Sequence, residues 1–401
     1  MSRRHDDWIA QIRPGDTVVV AQGVSEPTPL LRDLLQANLE DIEVIVGLSH
    51  SDALAIPSSS TVLGFVGMGP LSRPPRLGNS DVIPANFDDL PRLLSARGRA
   101  LVLLVQVTEA DAAETHGLGF AVDHTYDLLG EARLVVAEVN AELPDTTAPR
   151  VPAAALDVMV PTRRAVPLVK SPEVGPIQQA IARHVVNLVP ERATLQLGVG
   201  AVPTAIGRAL ADRRGLRVRS TLVGDWLAEL AAAGALRAGA GAVVIAEAAG
   251  SENLYRFVAG GAAEIVPVSS VVGGIAAHSI ERFVAVNSAF QIDLTGQVNA
   301  EETTRGYVGG IGGQTEFLRA AQRSRDGVSV IALPSQTSRG TSRIVRELSP
   351  ASVTTPRAGV DYVVTEHGVA DLRGRALRER RQLIAQLAAP EHRSELLQGA
   401  R

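Results

Sequence analysis

The sequence predicts an α/β fold with mostly parallel sheets, and three observations support that prediction. Short β-branched runs recur along the chain, such as DTVVVAQ, IEVIVGL and VDYVVTE. Several are apolar on both faces, as strands covered by helices on both sides should be. Helical patterns lie between many of them, as in PIQQAIARHVVNLV, where Ile177, Ile181 and Val185 share one face. This alternation favours right-handed βαβ units.

A proline-rich stretch predicts the division of the chain into domains. The 401 residues allow two to three domains, at about 150 residues each. Residues 144–176 hold seven of the 23 prolines, a composition that resists both helix and central strand. We interpret it as a surface connection with a short strand at LDVMV. Because the α/β pattern restarts afterwards, the sequence predicts one α/β domain over residues 1–175 and another over residues 176–401.

Composition and charge exclude several classes of function. The net charge is −4 without long runs of one sign, which argues against a nucleic-acid or membrane-surface partner. The absence of Cys excludes disulfides, a thiolate nucleophile and a thiolate metal site. No two His residues have metal-ligand spacing, so no metal is expected. MSRRHDDWIAQIRPGD lacks the apolar region of a secretory signal, and no apolar run has membrane-spanning length, so we expect a cytoplasmic protein.

Two glycine loops are candidate anion sites. Residues 195–210, LQLGVGAVPTAIGRAL, end a strand in Gly198-x-Gly200 and then begin a helix. Backbone N–H groups and a helix N-terminus suit a phosphate, a pyrophosphate or an oxyanion. Residues 309–317, GGIGGQTEF, form a second such loop, with glycines at Gly309, Gly310, Gly312 and Gly313. Taken alone, the first loop is better explained by a steric need for glycine, and the second is also explained by a flexible turn. Two such loops, each opening a helix, favour a ligand with separated anionic groups.

Polar residues at predicted strand ends supply the acid–base candidates. Residues 286–301, VNSAFQIDLTGQVNAE, predict a strand with Asn287, Gln291 and Asp293 on one face. That face is either a pocket wall or a satisfied internal network. Glu366 and His367 follow an apolar strand end, a position suited to acid–base chemistry. The alternative for this pair is helix capping and ion pairing with the arginines that follow.

Three further segments hold candidate residues. Glu26 lies in SEPTPLLRDLL before a proline-started helix. His116 lies in THGLG, where a lone histidine is more often a structural hydrogen-bond donor. LRVRSTLVGDW places Ser220 and Thr221 near the end of a strand, before a Gly-Asp turn. Either hydroxyl is a candidate nucleophile by position.

Together these segments resemble the acetyl-CoA hydrolase/4-hydroxybutyrate CoA-transferase family over nearly the whole chain and in order. SEPTPLLRDL resembles the family's Gly-Glu-Pro segment, and ATLQLGVGAVPTAI its Gly-x-Gly-x-x-Pro CoA loop. VNSAFQIDLTGQVNAE, GGIGGQTEFLRAA and DYVVTEHGVADLRGRALRER are similar to its three C-terminal hallmark segments. The resemblance implies two CoA-transferase-type open α/β domains with the active site between them. It also implies acyl-CoA and a small carboxylate as substrates, coenzyme A as acyl carrier without a metal, and a homodimer or higher homo-oligomer.

The same resemblance implies roles for the candidate residues. Asn287, Glu366 and the glycines near Gly312 would surround the reacting thioester. The Gly198–Gly200 loop would hold CoA or the thioester oxygen. Glu26 would be a further catalytic candidate.

One position departs from the family pattern. Family transferases use a glutamate nucleophile in a segment resembling His-Ser-Glu-Met, and the matching stretch here is VRSTLVGDW. Thr221 falls on the glutamate and Arg219 replaces the histidine. A threonine hydroxyl is neutral at pH 7 and cannot form the acyl anhydride of that mechanism. No glutamate lies between Leu216 and Ala228, so the sequence predicts that the glutamyl-CoA mechanism is absent.

Three interpretations follow from this departure. In the first, water hydrolyses an acyl-CoA thioester, or the C–C bond of a β-ketoacyl-CoA, with Glu366, Glu26 or His116 as general base. In the second, another carboxylate substitutes and CoA transfer persists. In the third, the chain is a non-catalytic acyl-CoA-binding subunit. We favour the first, because Glu366, Asn287 and both glycine loops are retained.

Overall fold

The chain contains two compact units, each discontinuous in sequence. The computed structural model describes residues 8–67, 80–272, 279–304, 306–348 and 352–398. The N-terminal unit comprises Met1–Val169, Ile245–Val271 and Tyr307–Gly312. The C-terminal unit comprises Lys170–Val244, Val272–Gly306 and Gly313–Arg401. Residues 1–7, on which the expectation of no secretory signal rests in part, lie outside the described residues.

A parallel sheet forms the centre of the N-terminal unit. The strands of this part of the chain are β1 (Asp16–Val20), β2 (Glu43–Val46), β3 (Thr61–Gly64), β4 (Ser80–Val82), β5 (Ala100–Val107), β6 (Thr115–Gly117), β7 (Leu134–Asn140), β8 (Arg150–Pro152) and β9 (Val158–Thr162). All of them except β6 and β8 belong to the sheet. The order is β4-β3-β2-β1-β5-β7-β9, and each of these pairings is parallel. The two strands β6 and β8 form an antiparallel pair. The predicted parallel arrangement is confirmed for this unit.

Between these strands of the N-terminal unit lie the helices α1 (Thr28–Ala37), α2 (Leu90–Ser95) and α3 (His124–Leu128). Helix α1 buries four leucines against the sheet, which are Leu30, Leu31, Leu34 and Leu35. These four positions lie on one face of the helix because of its 3.6-residue period. Asn38 then takes a left-handed conformation and ends the helix.

The proline-rich stretch contributes regular structure at the edge of this sheet. The predicted short strand is present as β9, displaced by two residues toward the C-terminus of the quoted LDVMV segment. Among the strands of the described residues, β9 pairs with β7 alone, and it contains Pro161. An edge strand tolerates proline because the missing N–H faces away from the ladder. Residues 163–175 have no helix or strand.

The middle of the chain supplies elements to both units. They are α4 (Pro176–Val186), β10 (Thr194–Leu197), α5 (Ala201–Ala209), β11 (Arg217–Val223), α6 (Trp226–Ala232), β12 (Val243–Ala248), α7 (Glu252–Phe257), β13 (Glu264–Ile265) and α8 (Val268–Val272). Short 3-10 turns elsewhere occupy Ile9–Gln11, Ala53–Ala55, Phe87–Asp89, Ala153–Ala155 and Arg357–Gly359, and a π-type turn occupies Val258–Ala262.

A second parallel sheet forms the C-terminal unit. The later elements are β14 (Phe283–Asn287), β15 (Gln291–Asp293), β16 (Val298–Asn299), β17 (Glu302–Thr303), β18 (Gly306–Tyr307), α9 (Gln314–Arg323), β19 (Val328–Ala332), β20 (Ile344–Val345), β21 (Tyr362–Thr365), β22 (Gly368–Asp371), α10 (Leu377–Ala385) and α11 (Pro390–Leu397). Within this unit the order runs β11-β10-β14-β19-β21-β22. The strands pair in parallel except for the β21–β22 hairpin. None of the helices in the described residues is both long and apolar enough to span a bilayer.

Residues 286–301 were predicted as one strand, and that prediction is wrong. The segment is not a single strand, because β14 ends at Asn287 and β15 begins at Gln291. The turn at residues 288–290 separates Asn287 from Gln291 and Asp293. Asp293 instead accepts hydrogen bonds from the backbone of Thr295 and Gln297, so its carboxylate closes a local turn.

Candidate functional site

The two adjacent hydroxyls of β11 have different environments. Ser220 is fully buried, and its Oγ donates to the carbonyl oxygen of Leu197 at 2.8 Å. Thr221 is half-buried. Successive strand residues point to opposite faces of a sheet. Ser220 therefore fastens β11 to β10, and Thr221 is the hydroxyl on the more open face.

A row of residues crosses the C-terminal sheet at the end of β10. The β10–β14 register, continued one residue past Leu197, aligns Gly198 with Asn287, and the β10–β11 register, continued three residues past Leu195, aligns Gly198 with Thr221. Residues opposite each other in such a ladder point to the same face. Thr221 and Asn287 therefore flank Gly198 at a separation of about 10 Å, which is two strand spacings. By this register the three predicted residues lie in one row across the sheet.

The Asn287 side chain has a fixed orientation. Its Nδ2 donates a hydrogen bond to Oε1 of Gln196 at 2.9 Å, and Gln196 is buried in β10. An amide nitrogen carries two hydrogens. Because Asn287 is half-buried at the strand end, its other hydrogen can serve a bound oxygen atom.

The loop after β10 supplies backbone donors. Gly200 has a φ of +113°, which only glycine adopts readily, and it directly precedes α5. The indole Nε1 of Trp226 donates to the Gly198 carbonyl at 3.3 Å. This hydrogen bond ties the Gly198–Gly200 loop to the buried Trp226 side chain. The first N–H groups of an α-helix lack intrahelical acceptors, so the start of α5 is a suitable anion contact.

Glu366 is held firmly just after β21. The backbone N–H of Ser335 donates to Oε2 at 2.9 Å, and the Ser335 hydroxyl donates to Oε1 at 2.7 Å. The Nε2 of His367 lies 3.8 Å from Oε1, and 13% of the Glu366 side chain is exposed. Glu366 and His367 do not cap a helix, because strand β22 follows them. In the arginine stretch, Arg373 pairs with Asp371 at 2.8 Å and Arg375 pairs with Glu379 at 3.1 Å.

Strand order separates Glu366 from Thr221. Strand β21 lies two positions beyond β14, and β11 lies two positions on its other side. With strands about 4.8 Å apart, Glu366 and Thr221 are about 19 Å apart across the sheet. Asn287 lies between them. Glu366 therefore does not occupy the place of the family glutamate.

Arg343 adds positive charge near Glu366. Burial lowers the pKa of the Arg343 guanidinium from its ordinary value, and the Glu366 carboxylate opposes that change. The guanidinium lies beside the turn that follows Asn287, with Nη1 3.3 Å from the Ala289 carbonyl oxygen.

Glu26 lies in the N-terminal unit between β1 and α1. It is buried, and the Thr28 hydroxyl donates to its Oε1 at 2.8 Å. Arg164 Nη2 donates to its carbonyl oxygen at 2.7 Å. Glu26 borders a groove of about 740 Å³, which is also lined by Gly23, Thr28, Pro29, Arg32, Asp33, Gln36, His50, Ser51, Asp52, Arg164 and Pro167.

The cationic groups of this groove are already engaged. Arg164 binds both carboxylate oxygens of Glu138, at 2.6 and 2.9 Å. Arg32 forms an ion pair with Asp52. Burial lowers the pKa of His50, although the nearby Glu26 carboxylate raises it. The lowered pKa favours neutral His50 at neutral pH.

Sequence reasoning missed a fully buried glutamate in β12. Burial and the nearby Asp123 carboxylate raise the pKa of Glu247 to about 8, although the Val24 N–H bond lowers it. Its Oε1 has no hydrogen-bond partner among the described residues. A Cβ on Gly23 would lie 1.6 Å from that oxygen. The sequence feature that could have identified Glu247 is a lone carboxylate in the otherwise apolar strand VVIAEA.

The second glycine loop packs closely in the N-terminal unit. The N–H of Gly67 donates to the Gly309 carbonyl at 2.6 Å. A Cβ on Gly310 would lie 2.7 Å from Cγ1 of Val66. Gly312 has a φ of +57°, and Gly313 directly precedes α9. Steric need accounts for Gly310, whereas an anion-binding role for this loop stays a prediction.

His116 is a poor general base by geometry. It is buried in β6, and its Nδ1 lies 2.8 Å from the Thr108 carbonyl oxygen. This contact gives the imidazole a structural partner. Within the described residues, no group of three or more His, Asp or Glu side chains is placed to hold a metal ion.

Comparisons with known proteins agree with this architecture. Residues 250–400 match the family model of the acetyl-CoA hydrolase/transferase C-terminal domain. The 4-hydroxybutyrate coenzyme A transferase of Clostridium kluyveri is 32% identical over 97% of this chain and 94% of its own length. An acetyl-CoA hydrolase of Eremothecium gossypii is 29% identical over 73% of this chain and 64% of its own. The crystal structure of RipA from Yersinia pestis superposes with a TM-score of 0.87 at 26% identity, covering 98% of this chain and 95% of that one.

Proposed function

The chain belongs to the acetyl-CoA hydrolase/4-hydroxybutyrate CoA-transferase family of enzymes, and on that premise we propose that it hydrolyses an acyl-CoA thioester with water as nucleophile. The observation that supports this is the half-buried Thr221, which stands where the family resemblance places a glutamate. A neutral hydroxyl cannot attack a thioester to give the reactive acyl-glutamyl anhydride.

Glu366 is the proposed general base. Ser335 contacts both of its carboxylate oxygens, which fixes the carboxylate plane while leaving lone pairs available. The carboxylate takes a proton from the attacking water, and the new C–O bond forms at the thioester carbon. A base positioned in this way contributes about 10²–10⁴ in rate.

Asn287 and the start of α5 are the proposed donors to the oxyanion. As water adds, the thioester oxygen becomes negative, and fixed N–H groups then stabilise it more than they stabilise the substrate. When the intermediate collapses, the C–S bond breaks and the CoA thiolate takes the proton from Glu366. The products are the free acid and CoA, and Glu366 returns to its carboxylate form.

CoA transfer is the second candidate, favoured by the names of the relatives. Besides the enzyme of Clostridium kluyveri, a butyryl-CoA:acetate CoA-transferase of Anaerostipes caccae is 26% identical over 98% of this chain. Transfer would require a carboxylate other than residue 221 to carry CoA.

We also propose, from family membership, that CoA is the acyl carrier without a metal, that a small carboxylic acid is the other product, and that the chain acts in the cytoplasm as a homodimer or larger homo-oligomer. Light scattering of the purified chain tests the oligomer directly. A monomeric mass at assay concentrations would reject that part.

A panel of acyl-CoAs, assayed with and without acetate, tests the reaction. We expect thiol release without an acceptor, which Ellman's reagent detects. Exchange only with acetate, together with a CoA adduct on a glutamate peptide, would establish transfer instead. Cleavage restricted to β-ketoacyl-CoAs would identify C–C hydrolysis. CoA binding without any turnover would indicate a non-catalytic binding subunit.

Restoring the family carboxylate supplies a gain-of-function test. We expect Thr221→Glu to gain acetate-dependent exchange and a CoA adduct at position 221, at the expense of simple hydrolysis. Thr221→Ser, which keeps the hydroxyl, is the matched control and should retain hydrolysis. An unchanged product pattern in both variants would place residue 221 outside the reaction centre.

A further inference from the structure

The groove of the N-terminal unit lies where parallel sheets usually hold ligands. The chain adds β2, β3 and β4 on one side of β1 and then continues with β5 on the other side. Ligands of open α/β sheets bind outside the carboxyl ends of the strands, at the point where this direction reverses. Glu26 follows β1 at that point, and Nε2 of Gln106 in β5 donates to its carbonyl oxygen at 3.4 Å. The groove that Glu26 borders is therefore a candidate ligand site on topological grounds.

Glu26 is a buried carboxylate without a cation of its own. Only 5% of the residue is exposed. Its Oε1 accepts from the Thr28 hydroxyl at 2.8 Å, but among the described residues no donor reaches Oε2 and no cation pairs with the carboxylate. Buried charges in proteins are normally paired, because removing a charge from water is costly. Oε2 of Glu26 therefore lacks the partner that its burial requires.

The neighbouring basic side chains do not supply that partner. Nε and Nη2 of Arg164 bind the carboxylate of Glu138, and Nη2 also donates to the backbone carbonyl of Glu26. Glu138 is fully buried, so the Arg164 guanidinium neutralises its charge. The lowered pKa of His50, caused mainly by burial, favours its neutral form. The remaining guanidinium nitrogen, Nη1 of Arg164, has no acceptor in the part of the chain that the structure describes.

The charges around the groove indicate the charge of its ligand. Arg32 forms an ion pair with Asp52, and the charge of Arg164 is already cancelled. Glu26 keeps its negative charge, and Asp33 adds another carboxylate to the lining. An excess of negative charge attracts a cation and repels a carboxylate or a phosphate.

We propose that this groove binds a small ligand that carries an ammonium group and a nearby oxygen acceptor, as an amino alcohol does. The ammonium donates to Oε2 of Glu26 and supplies the missing positive charge. The oxygen acceptor takes a hydrogen bond from Nη1 of Arg164. The groove volume of about 740 Å³ lies within the range of about 300–1,000 Å³ that is typical of small-molecule sites. The proposal goes beyond acyl-CoA hydrolysis and does not rest on it.

A series of small ligands tests the proposal on the unaltered chain. Isothermal titration calorimetry at low ionic strength should give a Kd of about 1 mM for ethanolamine, because so small a ligand gains little binding energy. Ethylammonium, which lacks the oxygen acceptor, should bind about tenfold more weakly. Ethylene glycol, which lacks the ammonium group, and acetate, which has the opposite charge, should not bind. Ethanolamine that does not bind, or that binds no better than acetate or ethylene glycol, would overturn the proposal.

A charge variant tests whether Glu26 holds the ammonium group. Glu26→Gln keeps an oxygen that can accept from Thr28 but removes the negative charge, so the Kd for ethanolamine should rise about tenfold or more. Glu40→Gln, an exposed glutamate after α1, is the matched control and should bind ethanolamine as the parent does. Parent-like affinity in Glu26→Gln would reject the site.

A second measurement locates the ligand even if Glu26→Gln is unstable. In nitrogen-15 correlation spectra of the parent, ethanolamine should shift amide resonances within residues 23–28 and 50–52, which border the groove. Shifts confined to other segments would overturn the proposal. Acyl-CoA turnover enters none of these measurements, so their failure leaves the proposed hydrolysis untouched, and a failure of hydrolysis leaves the groove proposal standing.

Discussion

Glu366 and Glu247 are the same residue type in opposite environments. Glu366 accepts two hydrogen bonds from Ser335, has Arg343 nearby, and keeps part of its side chain in solvent. Glu247 is fully buried, faces the Asp123 carboxylate, and has no partner for Oε1 among the described residues. Donors and cations favour a carboxylate, whereas burial and a neighbouring carboxylate favour the acid. Burial and the Asp123 carboxylate therefore favour the protonated form of Glu247.

The pKa of about 8 leaves Glu247 mainly protonated at neutral pH. A protonated carboxyl can donate a proton but cannot act as general base. The comparison therefore favours Glu366 as base for a structural reason that does not depend on family resemblance. Each prediction below removes one feature that distinguishes the two glutamates.

The largest expected effect is on catalysis. Glu366→Gln keeps the size of the side chain and its hydrogen-bonding oxygen but removes the basic carboxylate. We expect kcat for acyl-CoA hydrolysis to fall by about 10²–10⁴, with CoA affinity within about twofold of the parent. Steady-state kinetics and calorimetry measure the two quantities. Glu391→Gln, an exposed glutamate at the start of α11, should behave as the parent; unchanged turnover in Glu366→Gln would reject the base.

Filling the space beside Glu247 should have the next largest effect. In Gly23→Ala the new Cβ would overlap Oε1 of Glu247, at 1.6 Å, and Gly23 also has a φ of +66°. We expect a loss of about 2–4 kcal/mol in unfolding free energy, from the strained φ and from overpacking. Gly15→Ala is the matched control, because Gly15 has a φ of +88° but no atom within 4 Å of where the new Cβ would lie. It should lose only about 1–2 kcal/mol, and equal losses would show that Glu247 yields without cost.

The protonation of Glu247 predicts a pH-dependent stability. In the unfolded chain the carboxyl ionises near its ordinary pKa of 4.5, and in the folded chain its pKa is about 8. The folded state therefore binds the extra proton, so this group lowers stability progressively as pH rises from about 5 to about 8. Glu247→Gln should raise Tm over the parent, more near pH 8 than near pH 5, by a difference worth about 2–4 kcal/mol. A constant Tm difference across that window would mean that Glu247 folds ionised.

The strands and their mostly parallel arrangement could be predicted, because period and composition are local properties, but the order of the strands in each sheet was not predicted. VDYVVTE, for example, contains β21, which ends at Thr365 just before Glu366. The break after Asn287 was not predicted, because the turn at residues 288–290 is Ser-Ala-Phe and contains no Gly or Pro to mark it. The domain limits at residues 175 and 176 stay a prediction.

The placement of the candidate site residues was predictable where it depends on their position along a strand. It was not predictable where it depends on contacts between residues distant in the sequence. Ser220 and Thr221 must face opposite sides of β11 from the two-residue period alone, but only the structure shows that Ser220 is the buried one. Ser335 and Arg343 lie 31 and 23 positions from Glu366 in the sequence, and nothing local marks them as its neighbours. Glu247 was visible as a charge in an apolar strand, but its contact with Gly23 was not.

The smallest expected effect concerns the support of Glu366. Ser335→Ala removes the 2.7 Å hydroxyl bond to Oε1 and leaves the 2.9 Å backbone bond to Oε2. Because one of two charge-assisted bonds remains, we expect kcat to fall about tenfold, with Tm little changed. Ser342→Ala is the matched control, since that hydroxyl donates to the Ile344 carbonyl instead. Parent-like kcat in Ser335→Ala would show that the backbone bond alone orients the carboxylate, and the contrast with Glu247 would then depend on solvent exposure and on Arg343.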